Sequence, residues 1–203
     1  MVTRVEPLHP VEVRVLGALI EKEITTPEYY PLTVNSLQNA CNQKSSRDPL
    51  VQYDEDTVEQ ALDLLKNKGL VTRISGAGHR VEKFGHRLGE VLNLGRREMA
   101  LLCVLMLRGP QTVGELRGRT ERMHDFADLE EVERVLETLE KSELVARASR
   151  GRWVQLLGGA VEMEQNEPAR VTRMPLEERV AALERDLQRL REQLQEKLGE
   201  RFD

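Results

Sequence analysis

The stretch DEDTVEQALDLLKNKGLV, residues 54–71, has a second version in DLEEVERVLETLEKSELV, residues 128–145. The apolar positions keep the same spacing in both: Val58, Leu62, Leu65, Leu70 and Val71 match Val132, Leu136, Leu139, Leu144 and Val145. Spacings of three and four residues predict a helix with one buried face, and the apolar pair that follows predicts the start of a short strand. Many DNA-binding domains present their recognition helix in this way, but here the outward face is acidic in both copies.

Two further blocks of the chain are repeated. LHPVEVRVLGAL, residues 8–19, matches LGRREMALLCVL, residues 94–105, and PLTVNSL, residues 31–37, matches PQTVGEL, residues 110–116. The offset falls from 86 to 79 to 74 residues along the chain. The first half therefore carries extra residues, in EITTPEYY and NQKSSRDPLVQY, and insertions of this kind are usually surface loops.

Local signals predict the helices of each half. Residues 10–23 have apolar side chains at helical spacing, which predicts an amphipathic helix. Thr33 and Thr112 precede short helices in the position of an N-cap, and Thr112 with Glu115 has the spacing of a capping box. Asp54 and Asp128 are expected to cap the third helix of their halves.

A change from helical spacing to alternation predicts a β-hairpin at the end of each half. The first is LVTRISGAGHRVEKF, residues 70–84, and the second is LVARASRGRWVQLL, residues 144–157. We expect Val71 and Val81 to face inward, with Ile74 as a further candidate.

Each half is thus predicted to run helix, short strand, helix, helix, hairpin, which is the order of a winged helix. The sequence predicts a mainly α protein with small β-hairpins (α+β) built from two tandem winged-helix domains. Their expected ranges are residues 1–90 and 91–157, followed by a flexible linker over 158–174 and a C-terminal amphipathic, coiled-coil-like helix over 175–203.

Apolar side chains at alternating spacings of four and three define a seam along the predicted C-terminal helix. Such a seam is typical of a coiled coil and favours a homodimer. A helix packed on its own chain is the alternative. The seam residues are Leu176, Val180, Leu183, Leu187, Leu190 and Leu194.

The composition limits the classes of protein that fit. Hydrophobic residues make up 39% of the chain and charged residues 32%, with a net charge of −5. That charge argues against a protein that coats nucleic acid through bulk charge, though it leaves room for a local basic patch. Cys41 and Cys103 form no disulfide pattern, and no signal peptide or membrane span is evident, so a cytoplasmic protein with no membrane association is expected. Cys103 is expected to be a small buried side chain.

The longest segments, LHPVEVRVLGALIEKEITTPEYYPLTVNSLQNACNQKSSRDP and LRGPQTVGELRGRTERMHDF, carry a resemblance. Through residue 157 the chain resembles the uncharacterised bacterial YceH-like family, whose members have tandem winged-helix domains. The resemblance extends to the C-terminal extension. It implies the architecture and supplies no reaction, because the family has no established role.

The sequence shows no motif of an enzyme. It contains no nucleophile elbow, zinc-protease helix, phosphate loop or dinucleotide fingerprint, so no catalytic residue, cofactor or bound metal is predicted. The four histidines are scattered, and His79 and His86 are expected to face solvent beside the second strand of the first hairpin.

Basic and neutral donor residues cluster in the turns and hairpins. The candidate contacts with DNA or with a partner protein are Asn42, Gln43, Lys44, Ser45, Ser46, Arg47, Arg80, Arg117, Arg119, Arg122, Arg150 and Arg152. The loop around Lys44 and Arg47 is the best single candidate, because neutral donors surround both cations. Contacts of this kind would position a duplex through its backbone.

The third helices carry like-charged pairs at i,i+4 in both halves, which form a candidate acidic docking face: Glu59 with Asp63 and Glu133 with Glu137. Carboxylates on a reading helix would repel phosphates. Two functions therefore stay open. One is a DNA-associated regulator that contacts the backbone through turn loops and wings. The other is a protein-docking scaffold, without nucleic acid binding, whose acidic helices meet a basic partner.

Overall fold

The structure is a computed structural model that describes residues 5–74 and 81–159. The helices are α1 Pro10–Thr25, α2 Val34–Cys41, α3 Glu55–Asn67, α4 Leu88–Leu92, α5 Arg96–Arg108, α6 Val113–Thr120 and α7 Leu129–Lys141. The strands are β1 Val71–Ile74, β2 Lys83–His86, β3 Gln111–Thr112, β4 Val145–Arg147 and β5 Arg152–Gln155. The described chain is therefore mainly helical with small antiparallel sheets, as the α+β prediction expected.

The two halves, residues 8–88 and 94–157, share one order of elements. In the first half β1 pairs with β2, and in the second half β4 pairs with β5, both antiparallel. Strand β3 adds to β5 ahead of α6. At the matching place in the first half a single bridge joins Leu32 and Phe84. The short helix α4 connects the halves and was not predicted; it ends at Asn93, whose φ of 52° is left-handed.

The predicted helix caps are confirmed. Thr33, Asp54 and Asp128 each accept a hydrogen bond from the backbone N–H three residues later. Thr112 and Glu115 form the expected capping box, with the Thr112 backbone N–H donating to Glu115 Oε2 at 2.9 Å. These contacts satisfy amide groups that the first helical turn leaves without partners.

Helices α1 and α5 form the centre of the core. Helix α1 contacts α2 and α3 of its own half and α5 of the other half. Consequently α1 is buried on all sides from Glu12 to Ile20, and α5 is buried from Met99 to Leu107. The sequence predicted an amphipathic α1 with one buried side, because it does not show that α5 covers a further side of the helix.

Two buried charged side chains of α1 have partners. The carboxylate of Glu12 accepts from Lys68 Nζ at 2.7 Å. The guanidinium of Arg14 donates to the Cys41 carbonyl at 3.2 Å and to the Pro49 carbonyl at 2.6 Å. Pairing of this kind is what makes a charge tolerable in a core.

A glycine lets α1 and α5 approach closely. A Cβ atom at Gly17 would lie 3.0 Å from Leu107 Cδ2 and 3.2 Å from Met106 Cβ. Cys103 Sγ lies 3.4 Å from the Gly17 carbonyl oxygen and donates to it. Cys103 is fully buried, as predicted, and burial raises the pKa of its thiol well above the ordinary value.

The inserted loop between α2 and α3 ties the halves together. The Asp48 backbone N–H donates to the Leu107 carbonyl at 2.9 Å, and Arg108 Nη2 donates to Ser46 Oγ at 2.5 Å. Because this insertion contacts α5, it is part of the packing between the halves as well as a surface loop.

The first hairpin differs from the sequence prediction in one respect. Val71 is buried as expected, but Ile74 is 42% exposed and Val81 is 59% exposed. Both lie toward the tip of the hairpin, and only its base packs against the helices. Residues 75–80, residues 160–174 of the predicted linker and the seam from Leu176 to Leu194 fall outside the described residues, so the homodimer stays a prediction.

The close contact of α1 with α5 at Gly17 can be tested by placing a side chain there. We expect Gly17→Leu to lower the free energy of unfolding by ~1–3 kcal/mol or more, because the side chain must displace Leu107 and Met106. Gly118→Leu in α6 is the matched control, since a Cβ there meets no atom within 4 Å. Urea denaturation measures both variants. An equal, small effect of the two substitutions would contradict the packing described.

Candidate basic groove between the halves

A groove of about 450 Å³ lies where the two halves meet. Its walls are the C-terminal end of α1, the loop after α2, one side of α5 and the C-terminal end of α6. The lining residues are Glu21, Lys22, Thr25, Thr26, Gln43, Lys44, Ser45, Ser46, Val104, Arg108, Arg119, Arg122 and Met123. We call this feature the inter-half groove.

Basic side chains dominate the inter-half groove. Five cations line it, namely Lys22, Lys44, Arg108, Arg119 and Arg122, against the single carboxylate of Glu21. Within the part of the chain that the structure describes, Lys44 and Arg122 take part in no ion pair. Arg119 lies 3.4 Å from Glu115 and is only partly neutralised by it. The groove therefore carries a local excess of positive charge in a chain whose net charge is negative.

Arg47 does not lie on the surface, where the sequence analysis expected it. Its side chain is fully buried and donates to both oxygens of Glu21, at 3.1 and 2.6 Å. It also donates twice to the Ala40 carbonyl, at 3.1 and 2.8 Å. Arg47 thus holds the inserted loop against α1 and neutralises the only carboxylate of the groove.

The neighbours of Arg47 in this loop divide into internal and external residues. The Asn42 side chain exchanges two hydrogen bonds with the backbone of Tyr53, at 2.8 and 2.9 Å, so it shapes the loop. Gln43 Oε1 accepts from Arg47 at 3.1 Å. Lys44 and Ser45 are exposed. Of the predicted loop cluster, these two and the partly exposed Ser46 are placed to meet a partner.

Charge repulsion acts on the partly buried Arg108. Burial lowers the pKa of its guanidinium, and the nearby positive charge of Arg119 lowers it further, while Glu21 acts in the opposite direction. Arg47 also lowers it. An anion in the groove would relieve this repulsion.

The other predicted cations lie elsewhere or are engaged. Arg117 donates to the Phe126 and Ala127 carbonyls and orders the connection between α6 and α7. Arg152 donates to the Pro110 carbonyl and to Glu115, both at the start of α6. Arg150 is exposed on the second hairpin with a left-handed φ of 59°. Arg80 lies outside the described residues.

Two groove cations were missed by sequence reasoning. Lys22 and Arg108 lie in the last turns of α1 and α5, whereas the predicted cations came from turns and hairpins. A signal was available, because the two residues are 86 apart, which is the offset of the first repeated block. Equivalent positions of both halves are therefore basic and line the same groove.

The acidic faces are exposed as predicted. Glu59 and Asp63 lie on the outward side of α3, and Glu133 and Glu137 occupy the equivalent side of α7. None of the four takes part in an ion pair with residues that the structure describes. Leu64 and Leu129, on the same helices, are 49% and 47% exposed.

A second cavity, of about 460 Å³, lies beside His86 and Glu23. The imidazole of His86 is 5% exposed, so the expectation that it faces solvent is wrong. Its Nε2 atom lies 2.7 Å from Glu23 Oε2. Burial lowers the pKa of His86, and the charge of Glu23 raises it. Across the described ranges, no three His, Cys, Asp or Glu side chains converge as they would around a metal ion.

The internal role of Arg47 yields a stability prediction. We expect Arg47→Ala to lower the free energy of unfolding by ~3 kcal/mol or more. The substitution leaves the part-buried carboxylate of Glu21 and the carbonyl of Ala40 without their hydrogen-bond donor. Lys44→Ala, three residues away and exposed, should change it by no more than ~0.5 kcal/mol. Urea denaturation followed by circular dichroism compares them. Similar small losses for both would mean that Arg47 is a surface residue.

Among the residues that the structure describes, no helix has both the length and the apolar character needed to cross a membrane. The predicted cytoplasmic location, and the prediction that the chain has no catalytic residue or cofactor, stay predictions.

Comparison with known proteins gives the family. The family model described as "Protein of unknown function, DUF480" matches residues 8–152, which include every residue of the inter-half groove. A UPF0502 protein of Solibacter usitatus is 54% identical over 192 residues, covering 91% of this chain and 93% of the relative. Those of Opitutus terrae and Geotalea daltonii are 54% and 51% identical, covering 91% and 88% of this chain and 83% and 88% of their own lengths.

The resemblance to an uncharacterised bacterial family is thus confirmed, although the names of these relatives do not carry the YceH-like label. The chain belongs to the DUF480, or UPF0502, family of uncharacterised bacterial proteins.

Proposed function

We propose that this protein is a non-enzymatic tandem winged-helix protein that binds duplex DNA through its phosphate backbone. The contact is made by the inter-half groove and by the exposed cations of the loops and hairpins. The acidic helices α3 and α7 do not enter the major groove. One observation carries the proposal: the segments that follow the second helix of each half converge on one groove lined by five cations.

The order of elements supports the winged-helix part of the proposal. Each half runs through a helix, a short extended segment, two further helices and a hairpin, and the extended segment pairs with the second hairpin strand. A plain three-helix bundle would explain neither the hairpins nor that pairing. In winged helices the hairpin and turn commonly contact the DNA backbone alongside the third helix.

The distribution of charge favours contact through the groove over contact through α3 or α7. Affinity for DNA comes largely from neutralised phosphates and the counterions that they release. Lys44 and Arg122 are exposed, without ion pairs in the described chain, and able to make such contacts. The outward face of α3 presents Glu59 and Asp63 instead, and these would repel the duplex.

The chemistry of the lining indicates which part of DNA is recognised. Within the described residues, no aromatic side chain lines the inter-half groove, so these residues offer bases nothing to stack on. The lining donors are ammonium, guanidinium, hydroxyl and amide groups, which suit phosphate and sugar oxygens. Binding is therefore expected to vary little with sequence.

The proposal is tested by a double variant, Lys44→Gln with Arg122→Gln. Two lost phosphate contacts should flatten the plot of log affinity against log salt by about two and weaken binding almost equally across sequences. Fluorescence anisotropy of several duplexes of unrelated defined sequence, at several salt concentrations, measures both quantities.

The matched control is Lys66→Gln with Arg134→Gln. These exposed residues lie on α3 and α7, and their replacement changes the net charge by the same amount. The control should keep the salt dependence of the unaltered protein. Equal losses in the two double variants would mean that bulk charge, and not the groove, determines binding, and absence of any salt-dependent binding would refute the proposal.

A second candidate function is docking of a basic protein on α3 and α7. It is favoured by the four exposed carboxylates without ion pairs in the described part of the chain, and by the exposed Leu64 and Leu129 beside them. On such a surface the carboxylates would pair with basic side chains of a partner, and the two leucines would supply apolar contact area. Under this alternative the protein binds no DNA at moderate salt.

Neutralising Glu59 and Asp63 shows whether α3 repels the duplex or contacts its bases. We expect Glu59→Gln with Asp63→Gln to leave duplex binding unchanged or to strengthen it, because repulsion of phosphates is relieved. The same anisotropy titration measures the change. Loss of sequence preference despite the more favourable charge would instead show that these carboxylates contact bases, as acids do when they accept from cytosine amino groups.

A further inference from the structure

We infer that the deep part of the inter-half groove binds a small diphosphate or diphosphate ester, at a site separate from the rim that meets DNA. The inference rests on the proposed phosphate-binding role of this groove and adds a second class of ligand to it. Such a ligand would regulate the contact with DNA.

The groove has a rim and a floor that differ in exposure. Lys44, Ser45 and Arg122 are exposed and form the rim. Deeper in the groove, Lys22 and Arg119 have side chains 21% and 33% exposed. Val104 and Met123, at 3% and 6% exposure, form an apolar floor.

This depth separates ligands by size. A duplex backbone approaches from solvent and reaches the rim cations first. A free diphosphate can enter far enough to contact Arg108 and Arg119 as well. The volume of about 450 Å³ falls within the range of small-molecule sites, which is ~300–1,000 Å³.

The charge of the groove suits a ligand with two phosphates, because five cations line it and the carboxylate of Glu21 is compensated by Arg47. Arg108 and Arg119 repel each other, so an anion that contacts both removes an unfavourable interaction. Guanidinium groups bind phosphate oxygens in a bidentate manner, which strengthens such contacts. The hydroxyl groups of Ser45 and Ser46 are further donors beside the cations.

One carboxylate opposes an anion in the groove. Glu21 lines the wall, but both of its oxygens accept from the buried guanidinium of Arg47, and Lys22 lies 3.8 Å away. Its charge is therefore compensated within the protein. The hydroxyls of Thr25 and Thr26 already donate to carbonyls of α1, so they do not donate to a ligand in the groove.

A ligand on the floor changes the rim electrostatically. Two phosphates beneath Lys44 and Arg122 offset the positive charge that the duplex backbone would meet. DNA affinity should fall when the ligand binds, and by linkage the ligand should bind less tightly to the DNA complex.

Calorimetric titration of the full-length chain with pyrophosphate, and separately with ADP, tests the inference without DNA present. Saturable binding at one site per chain is expected for at least one of the two. Tighter binding of ADP would indicate an organic ester that also uses the apolar floor, and equal binding would indicate the inorganic anion. Sodium sulfate at matched ionic strength is the reference anion and should bind more weakly.

Floor variants locate the site. Arg108→Gln and Arg119→Gln should each weaken binding about tenfold, the typical consequence of losing a charge-assisted hydrogen bond. Arg134→Gln on α7 is the control and should have no effect. Arg108 also donates to Ser46, so Arg108→Gln could weaken binding by destabilising the fold. The melting temperature of that variant is therefore measured as well. If it falls, the location of the site is judged from Arg119→Gln alone.

The inference is overturned if neither pyrophosphate nor ADP gives saturable binding, or if Arg134→Gln weakens it as much as Arg119→Gln does. This outcome is distinct from failure of the proposed function. If no small ligand binds, duplex binding that is weakened by Lys44→Gln with Arg122→Gln would still support the proposed function. Conversely, a small ligand could bind on the floor of the groove in a protein that does not bind DNA.

Discussion

The close contact of α1 with α5 at Gly17 is the constraint on which the rest of the fold depends. Because residue 17 has no side chain, Leu107 and Met106 pack directly on the α1 backbone. That contact fixes the position of Arg108, the next residue of α5, relative to Lys22, which is just over one turn further along α1. The groove between the halves depends on this contact, since α1 and α5 form two of its walls.

The buried pair of Arg47 and Glu21 determines how the groove presents its charge. It buries the guanidinium of Arg47, compensates the charge of Glu21, whose side chain stays 15% exposed, and anchors the loop that carries Lys44. A buried pair of this kind contributes little net stability compared with an apolar pair of the same shape, but breaking it is costly. Its value here lies in fixing the loop while Lys44 and Arg122 stay without an ion pair in the described part of the chain.

Much of the fold could be predicted from the sequence, because the signals involved are local. The caps at Thr33, Thr112, Asp54 and Asp128 depend on residues three positions apart, and the hairpins depend on alternation within short segments. The burial of Arg47 could not be predicted, since its partner Glu21 lies 26 residues away. Nor does local periodicity show that α5 covers the second side of α1. The groove itself depends on how the halves pack. Its one signal in the sequence is that Lys22 and Arg108, at equivalent positions of α1 and α5, are both basic.

The burial of α1 by both halves has a consequence for how the chain unfolds. Two copies of a small motif in tandem would ordinarily open and close independently, each with its own stability. Here loss of the second half would expose apolar side chains of α1, and loss of the first half would expose apolar side chains of α5. We expect residues 5–159 to behave as one cooperative unit, in which the innermost amides of α1 and α5 exchange with solvent only through global unfolding. A gene duplication that began with two separable modules would thus have ended in a single thermodynamic domain.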